Sequence, residues 1–303
     1  EHAAKLTPRN AELLELLAKV KVKIGKLNEA LPLFQNIVQL KPSNGAARVN
    51  FAIALADSND LQGALRELDT ALAIAPNLPA AHINRARVLA DLHRNQESGR
   101  EFERACRLAP QDADCFLYWG LLEQELGHAA EESMRFHEVL KLQPGNTKAW
   151  LLYAKSLKEQ SRDAECMAAL RELLRLEPDS QEATYMLSVE LRKTDPEASR
   201  RLLEKFEAGR QRFADVEQSK TLGNDAFLAA GRRDWPEAIK LLRRAIPLCG
   251  DCDAAAQLHK NLGLALSQNG EISEGRQELQ ESLKLNTADP DVVKELAVLD
   301  QAI

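Results

Sequence analysis

The chain has 303 residues, a net charge of −6 and a pI of about 5.7. That acidic balance argues against a nucleic-acid binder, which carries a basic excess, and no run of about 18 apolar residues exists to insert into a membrane. Hydrophobic residues make up 45% but aromatics only 5%, which suits an all-helical core of Ala and Leu between closely spaced helices.

Six prolines, Pro8, Pro42, Pro76, Pro110, Pro144 and Pro178, stand 34 residues apart and close similar phrases such as VQLKP, LAIAP and CRLAP. A fixed period of about 34 residues marks an array of helix-turn-helix units. Residues 1–10 read as the tail of an upstream repeat. The first repeat, 11–44, has apolar residues at helical spacing, a break at Gly25 and a second helix, NEALPLFQNIVQL, ending at Pro42. Pro32 is expected early in that helix, where its missing N–H costs little. Repeats at 45–78, 79–112, 113–146 and 147–180 follow the same plan, with polar turns SND, HRN, LGH and QSR.

Small residues recur 24 positions before each proline (Ala18, Ala52, Ala86, Gly120, Ala154), and Ala30 and Ala64 stand 12 before theirs. Phe34, Phe102 and Phe136 lie 8 before theirs. Small against large at fixed offsets lets two helices key together. After Pro178 the lattice breaks. The regular array is taken as 11–193, with a helix at 181–193, and an irregular joint as 194–215. The joint contains a partner helix at 197–208 and about five extra residues at 211–215. Further repeats span 216–288. A capping helix spans 289–303, with Asp289 as N-cap and Pro290 in its first turn.

These residues resemble the tetratricopeptide repeat in bacterial-type multi-repeat form: Trp150 and Ala154 in one repeat, Gly120, Phe136 and Pro144 in another, Phe102, Ala105 and Pro110 in a third. The resemblance implies a right-handed α-solenoid, a superhelix of antiparallel helix pairs whose first helices line the inner face. The inward positions are then Val49, Asn50, Ile53, Ile83, Asn84, Arg87, Leu117 and Leu121, with Lys148, Leu151, Lys155, Lys158, Tyr185, Arg192 and Lys193 towards the other end. Such a groove is apolar at one end and basic at the other, and suits a partner with an apolar anchor and an acidic stretch. Asn50, Asn84 and Asn261 share one repeat position. An amide there offers both donor and acceptor to a peptide backbone; the alternative is an amide bonded to a neighbouring turn. Lys220, Asn224 and Asn261 match three positions of the tetratricopeptide carboxylate clamp. Asp291 and Glu295 fall where the clamp needs cations and would repel a carboxylate.

Cys106 and Cys115 straddle one tight link and Cys249 and Cys252 bracket a second. Each pair is within plausible reach of a disulfide, whose Cα atoms sit ~4.4–6.8 Å apart, which points to an extracytoplasmic (periplasmic or secreted) site; five reduced thiols in a cytoplasmic protein are the alternative. Cys166 is left as a buried free thiol. A redox or zinc role for Cys249 and Cys252 lacks a βαβ context and a second ligand pair. The six histidines are scattered, and no P-loop, GxGxxG or HExxH motif occurs. No cofactor or metal is expected and no residues support an enzyme. The sequence reads as a non-catalytic scaffold binding an extended peptide or partner helix in its concave groove. A regulatory arm of a larger enzyme, such as a glycosyltransferase, and a self-associating structural scaffold are the alternatives.

Overall fold

The computed structural model describes residues 10–300, and all of the regular structure among them is helical. The first pair is α1 (Ala11–Lys23) and α2 (Leu27–Leu40), followed by α3 (Gly45–Asp57) with α4 (Leu61–Ile74), α5 (Pro79–Asp91) with α6 (Asn95–Leu108), α7 (Ala113–Glu125) with α8 (Ala129–Leu142), and α9 (Thr147–Glu159) with α10 (Asp163–Leu176). The proline period is thus also the period of every helix start and stop in this part. Apart from Asn10, which caps α1, the expected upstream tail lies outside the described residues.

The repetition has local causes. Asn10, Asn44, Asp112 and Asn146 cap α1, α3, α7 and α9, each accepting backbone N–H groups of the first turn; such caps stabilise a helix by roughly 1 kcal/mol. Between the helices of a pair the chain reverses through a left-handed residue, and this position also follows the lattice: Gly25, Asn59, His93, Gly127 and Ser161. Glycine takes that conformation freely, and the three non-glycine residues take it at a cost of roughly 1 kcal/mol. The prolines then end each second helix, and their carbonyls are bonded from the next repeat. Arg48 donates to Pro42, Trp150 Nε1 donates to Pro144 at 2.8 Å, and His82 Nε2 lies 2.9 Å from the Pro76 carbonyl. Pro32 sits at the sixth position of α2, past the first turn, so it removes one backbone bond that its expected placement would have spared.

Each helix packs mainly on its chain neighbours, so the core is a series of local clusters. The expected small-to-large keying is present: Ala18, Ala52, Ala86 and Ala154 are fully buried, as is Phe136, whose ring fills the space above Gly120. Cys106 and Cys115 are joined across the link between α6 and α7, with Cα atoms 5.7 Å apart.

The chain divides into two compact units, Glu1–Glu190 and Leu191–Ile303. The division falls at the end of α11 (Gln181–Leu191). The second unit begins with α12, one helix of 36 residues from Pro196 to Gly231. This corrects the expected separate helix at 197–208 and linking residues at 211–215. Residues 210–218 contain neither proline nor glycine, and i,i+4 contacts such as Gln211 Nε2 to Asp215 carry the helix through. Its buried residues, Ser219, Leu222, Ala226 and Ala229, lie near its C-terminal end. The last three pack in a cluster with α13 (Trp235–Cys249) and α14 (Ala255–Gln268), and Ser219 Oγ donates to the Ala245 carbonyl. The pair α14 and α15 (Ile272–Leu285) follows, and α16 (Pro290–Leu299), N-capped by Asp289, buries Val292 and Leu299 against Leu279. Cys249 and Cys252 are joined with Cα atoms 5.2 Å apart, and Cys166 is free and buried.

Candidate functional site

The first helices of neighbouring repeats touch: α3 meets α5 and α5 meets α7. Their shared face in the first unit carries two adjoining pockets. One, of ≈ 160 Å³, is bounded by Lys19, Val22, Phe34, Asn50, Ile53 and Asp57. Its smaller, more enclosed neighbour, of ≈ 20 Å³, is bounded by Ile53, Asp57, Asn84, Arg87, Val88 and Asp91. Ile53 and Asp57 belong to both, so the two are consecutive stations on one track, an apolar floor with a polar rim.

Asn50, Ile53, Asn84 and Arg87 therefore come together on this face. Val49 and Ile83 do not: at 4% and 6% exposure they are core residues, the first packed with Leu68 and Leu65, the second with Phe102. The resemblance placed them inward, but the α3 and α5 helices turn these positions into the contact with their partner helices. Leu117 and Leu121 are half-buried on α7, Leu117 packing towards Ala113 and Trp150. The asparagines are already bonded. Asn50 Nδ2 donates to Glu15 at 3.1 Å, Asn84 Nδ2 donates to the Ala80 carbonyl at 2.8 Å, and Arg87 donates to Asn84 Oδ1 while its guanidinium lies 4.4 Å from the Tyr118 ring centre. A peptide backbone would exchange with these bonds rather than meet vacant amides.

The basic end differs more from expectation. Lys155 pairs with Glu182 at 2.6 Å, and Lys158 pairs with Glu190 at 2.8 Å and Asp163 at 3.1 Å. Hydrogen bonding to Glu190, then to Asp163, raises the Lys158 pKa above the ordinary lysine value. Two of the expected cations are thus matched by acids on neighbouring elements, which spacing within single helices does not reveal. Lys148 and Tyr185 are exposed on α9 and α11, Leu151 is half-buried on α9, and Arg192 and Lys193 fall in the second unit.

In the second unit a pocket of ≈ 440 Å³ collects Lys220, Asn224, Gln257 and Asn261, and one of ≈ 340 Å³ runs on past Phe227 to Trp235 and Leu264. Phe227, which sequence reasoning passed over, is 72% exposed between them. Asp291 bonds Lys260, which also holds Asp289, so its carboxylate is partly neutralised. Sequence reasoning also missed four acids of the first unit, Asp57, Asp91, Glu125 and Glu159. The signal was available in the 34-residue lattice, on which all four occupy one position. Among the described residues no group of three or more His, Cys, Asp or Glu side chains is placed to hold a metal ion, and no helix is long and apolar enough to cross a membrane.

This architecture is an all-α solenoid of helix pairs. Residues 22–88 match the family model for the tetratricopeptide repeat, and the remaining helix pairs are consistent with a repeat array of that type. No curated protein sequence matches it. Among solved structures it resembles YrrB, a tetratricopeptide protein described as having an unusual peptide-binding site, at 20% identity and a TM-score of 0.50 over 58% of this chain and 91% of that one. It also resembles the C-terminal part of a tetratricopeptide-containing protein from Cytophaga hutchinsonii, at 11% identity and a TM-score of 0.52 over 92% of this chain and 98% of that one. At these identities the likeness is one of fold.

Proposed function

We propose that the chain is a non-catalytic scaffold that holds an extended segment of a protein partner along the first-helix face of its first unit. The observation that carries this reading is the pair of adjoining pockets sharing Ile53 and Asp57, rimmed by Asn50, Asn84 and Arg87. A rigid row of helices fixes these groups before the partner arrives, so the ordering cost of binding falls mainly on the partner. The fold is one that carries a peptide site in YrrB, although fold alone does not assign a function. An apolar anchor of the partner would sit against Ile53. The expected acidic stretch loses support, because Lys155 and Lys158 are already paired within the chain.

The double substitution Ile53→Ala with Asn84→Ala, which removes the apolar contact and the amide and leaves the charge of the face unchanged, is expected to weaken a partner recovered by co-purification from the native source by about tenfold, the cost of roughly one hot-spot contact. Circular dichroism should show unchanged helicity; unchanged affinity would place the site elsewhere. The two joined cysteine pairs support an oxidising compartment. Alkylation of the native protein without reductant should then modify only Cys166 on unfolding, and five modified thiols would contradict it.

A further inference from the structure

The second helices α6, α8 and α10 place a base in their last turn, Arg107, Lys141 and Arg175, where the partial negative charge of a helix C-terminus favours it. Four of the five first helices end instead on an acid, whereas α1 ends on Lys23 and α9 also carries Lys158 in its last turn. The final residues of α3, α5, α7 and α9 are Asp57, Asp91, Glu125 and Glu159. Each is exposed, and among the described residues none makes an ion pair or side-chain hydrogen bond. Four carboxylates thus stand on the negative ends of four successive first helices, against the helix-dipole preference, and the first two line the adjoining pockets. Between the last two, the carboxyl of Glu132 accepts from Gln124, the neighbour of Glu125, through one oxygen; its other oxygen is buried without a partner, and Glu159 is the nearby charge that acts on it. A local rule broken four times in register, with a cation beside the acid only at α9, is the mark of a surface built for something outside the chain.

We infer that this row is a docking strip for an extended cationic peptide segment that offers one Lys or Arg side chain to each repeat. The inference rests on the peptide-binding reading of the same face and sets the sign of the partner's charge. A single metal ion does not fit, because the acids come one to a repeat and neighbouring packed helices lie about 8–10 Å apart. An extended chain advances about 3.3 Å per residue, so about three residues span one repeat and a basic residue at every third position matches the row. Ile53, between the first two pockets, offers an apolar contact to the residues in between.

The test uses the full chain and three fluorescent peptides of equal length, built from the repeats Lys-Leu-Ser, Glu-Leu-Ser and Ser-Leu-Ser. The lysine peptide should bind most tightly and weaken steeply with salt. The variant carrying Asp57→Asn, Asp91→Asn, Glu125→Gln and Glu159→Gln should lose about tenfold or more of that affinity, and it should melt no lower than the wild type, since each change relieves an unfavourable helix end. Preferential binding of the glutamate peptide, or a lysine-peptide affinity unmoved in the variant, overturns the inference. Equal binding of the lysine and serine peptides removes the charge but leaves the groove standing. Binding of none of the three defeats both readings.

Discussion

Replacing Glu132 by Gln is expected to stabilise the protein by about 2–3 kcal/mol at about pH 8 and to change little below about pH 4. Glu132 occupies the slot 12 before Pro144, where the first two repeats place Ala30 and Ala64. It is 1% exposed. One carboxyl oxygen accepts from Gln124 Nε2 at 3.0 Å and the other has no partner. Burial, then the nearby charge of Glu159, pushes its pKa up to about 7. The sign follows from linkage. A carboxyl whose folded pKa lies above its unfolded value favours folding most at low pH, below about 4.5, and loses that contribution as pH rises through about 7. The difference between the stabilities of wild type and Glu132→Gln, measured by urea unfolding from about pH 4 to pH 8, should open over that window and level off above it. Parallel pH profiles would show that Glu132 is hydrated or paired in the folded protein.

The second large effect belongs to the pair α14 and α15. A methyl group at Gly263 would come within 2.7 Å of Leu279 Cγ and 2.8 Å of the Gly275 carbonyl, and one at Gly275 would come within 2.8 Å of the Gly263 carbonyl. Backbone therefore lies against backbone, and neither side can yield by a rotamer change. Gly263→Ala should force the helices apart and cost about 2–3 kcal/mol, the upper range for overpacking. Gly99→Ala is the matched control: Gly99 lies inside α6 with open space around it, and its replacement should stabilise by about 0.5–1 kcal/mol through helix propensity alone. Thermal melts of the two variants should move in opposite directions. A shift of the same sign in both would mean that the close approach at Gly263 is relieved at little cost.

The period of the first ten helices was legible because one device repeats in the sequence: an Asn or Asp cap on four of the five first helices, an alanine or glycine facing a large side chain, and a proline closing the pair. Each acts over a few residues, so each leaves a mark on the chain. The continuous α12 was not legible, because the lattice led to an expected joint where the local sequence, with good helix formers and no proline after Pro196 at the helix start, favours continuation. Glu132 escaped notice for the opposite reason. A register reading looks for the expected small residue and passes over an acid in its place.

The candidate site was legible as a face but not in its charge. Periodicity put Asn50, Ile53, Asn84 and Arg87 on one wall. It could not show that Val49 and Ile83 turn into the core, since one helical step separates groove from core. Nor could it show that Lys155 and Lys158 are met by Glu182 and Glu190, which lie some thirty residues away in sequence, on α11. With those lysines paired, the acids of the same register, Asp57, Asp91, Glu125 and Glu159, set the sign of the surface.

Zero-length carbodiimide cross-linking of the lysine peptide to the full chain, read by peptide mass spectrometry, tests that surface most directly, because it reports which carboxylates the peptide's amines touch. The adducts should concentrate on Asp57, Asp91, Glu125 and Glu159 and fall away with added salt. Adducts spread over the acids of the second helices, or gathered in the second unit, would contradict a partner site on the first-helix face of the first unit.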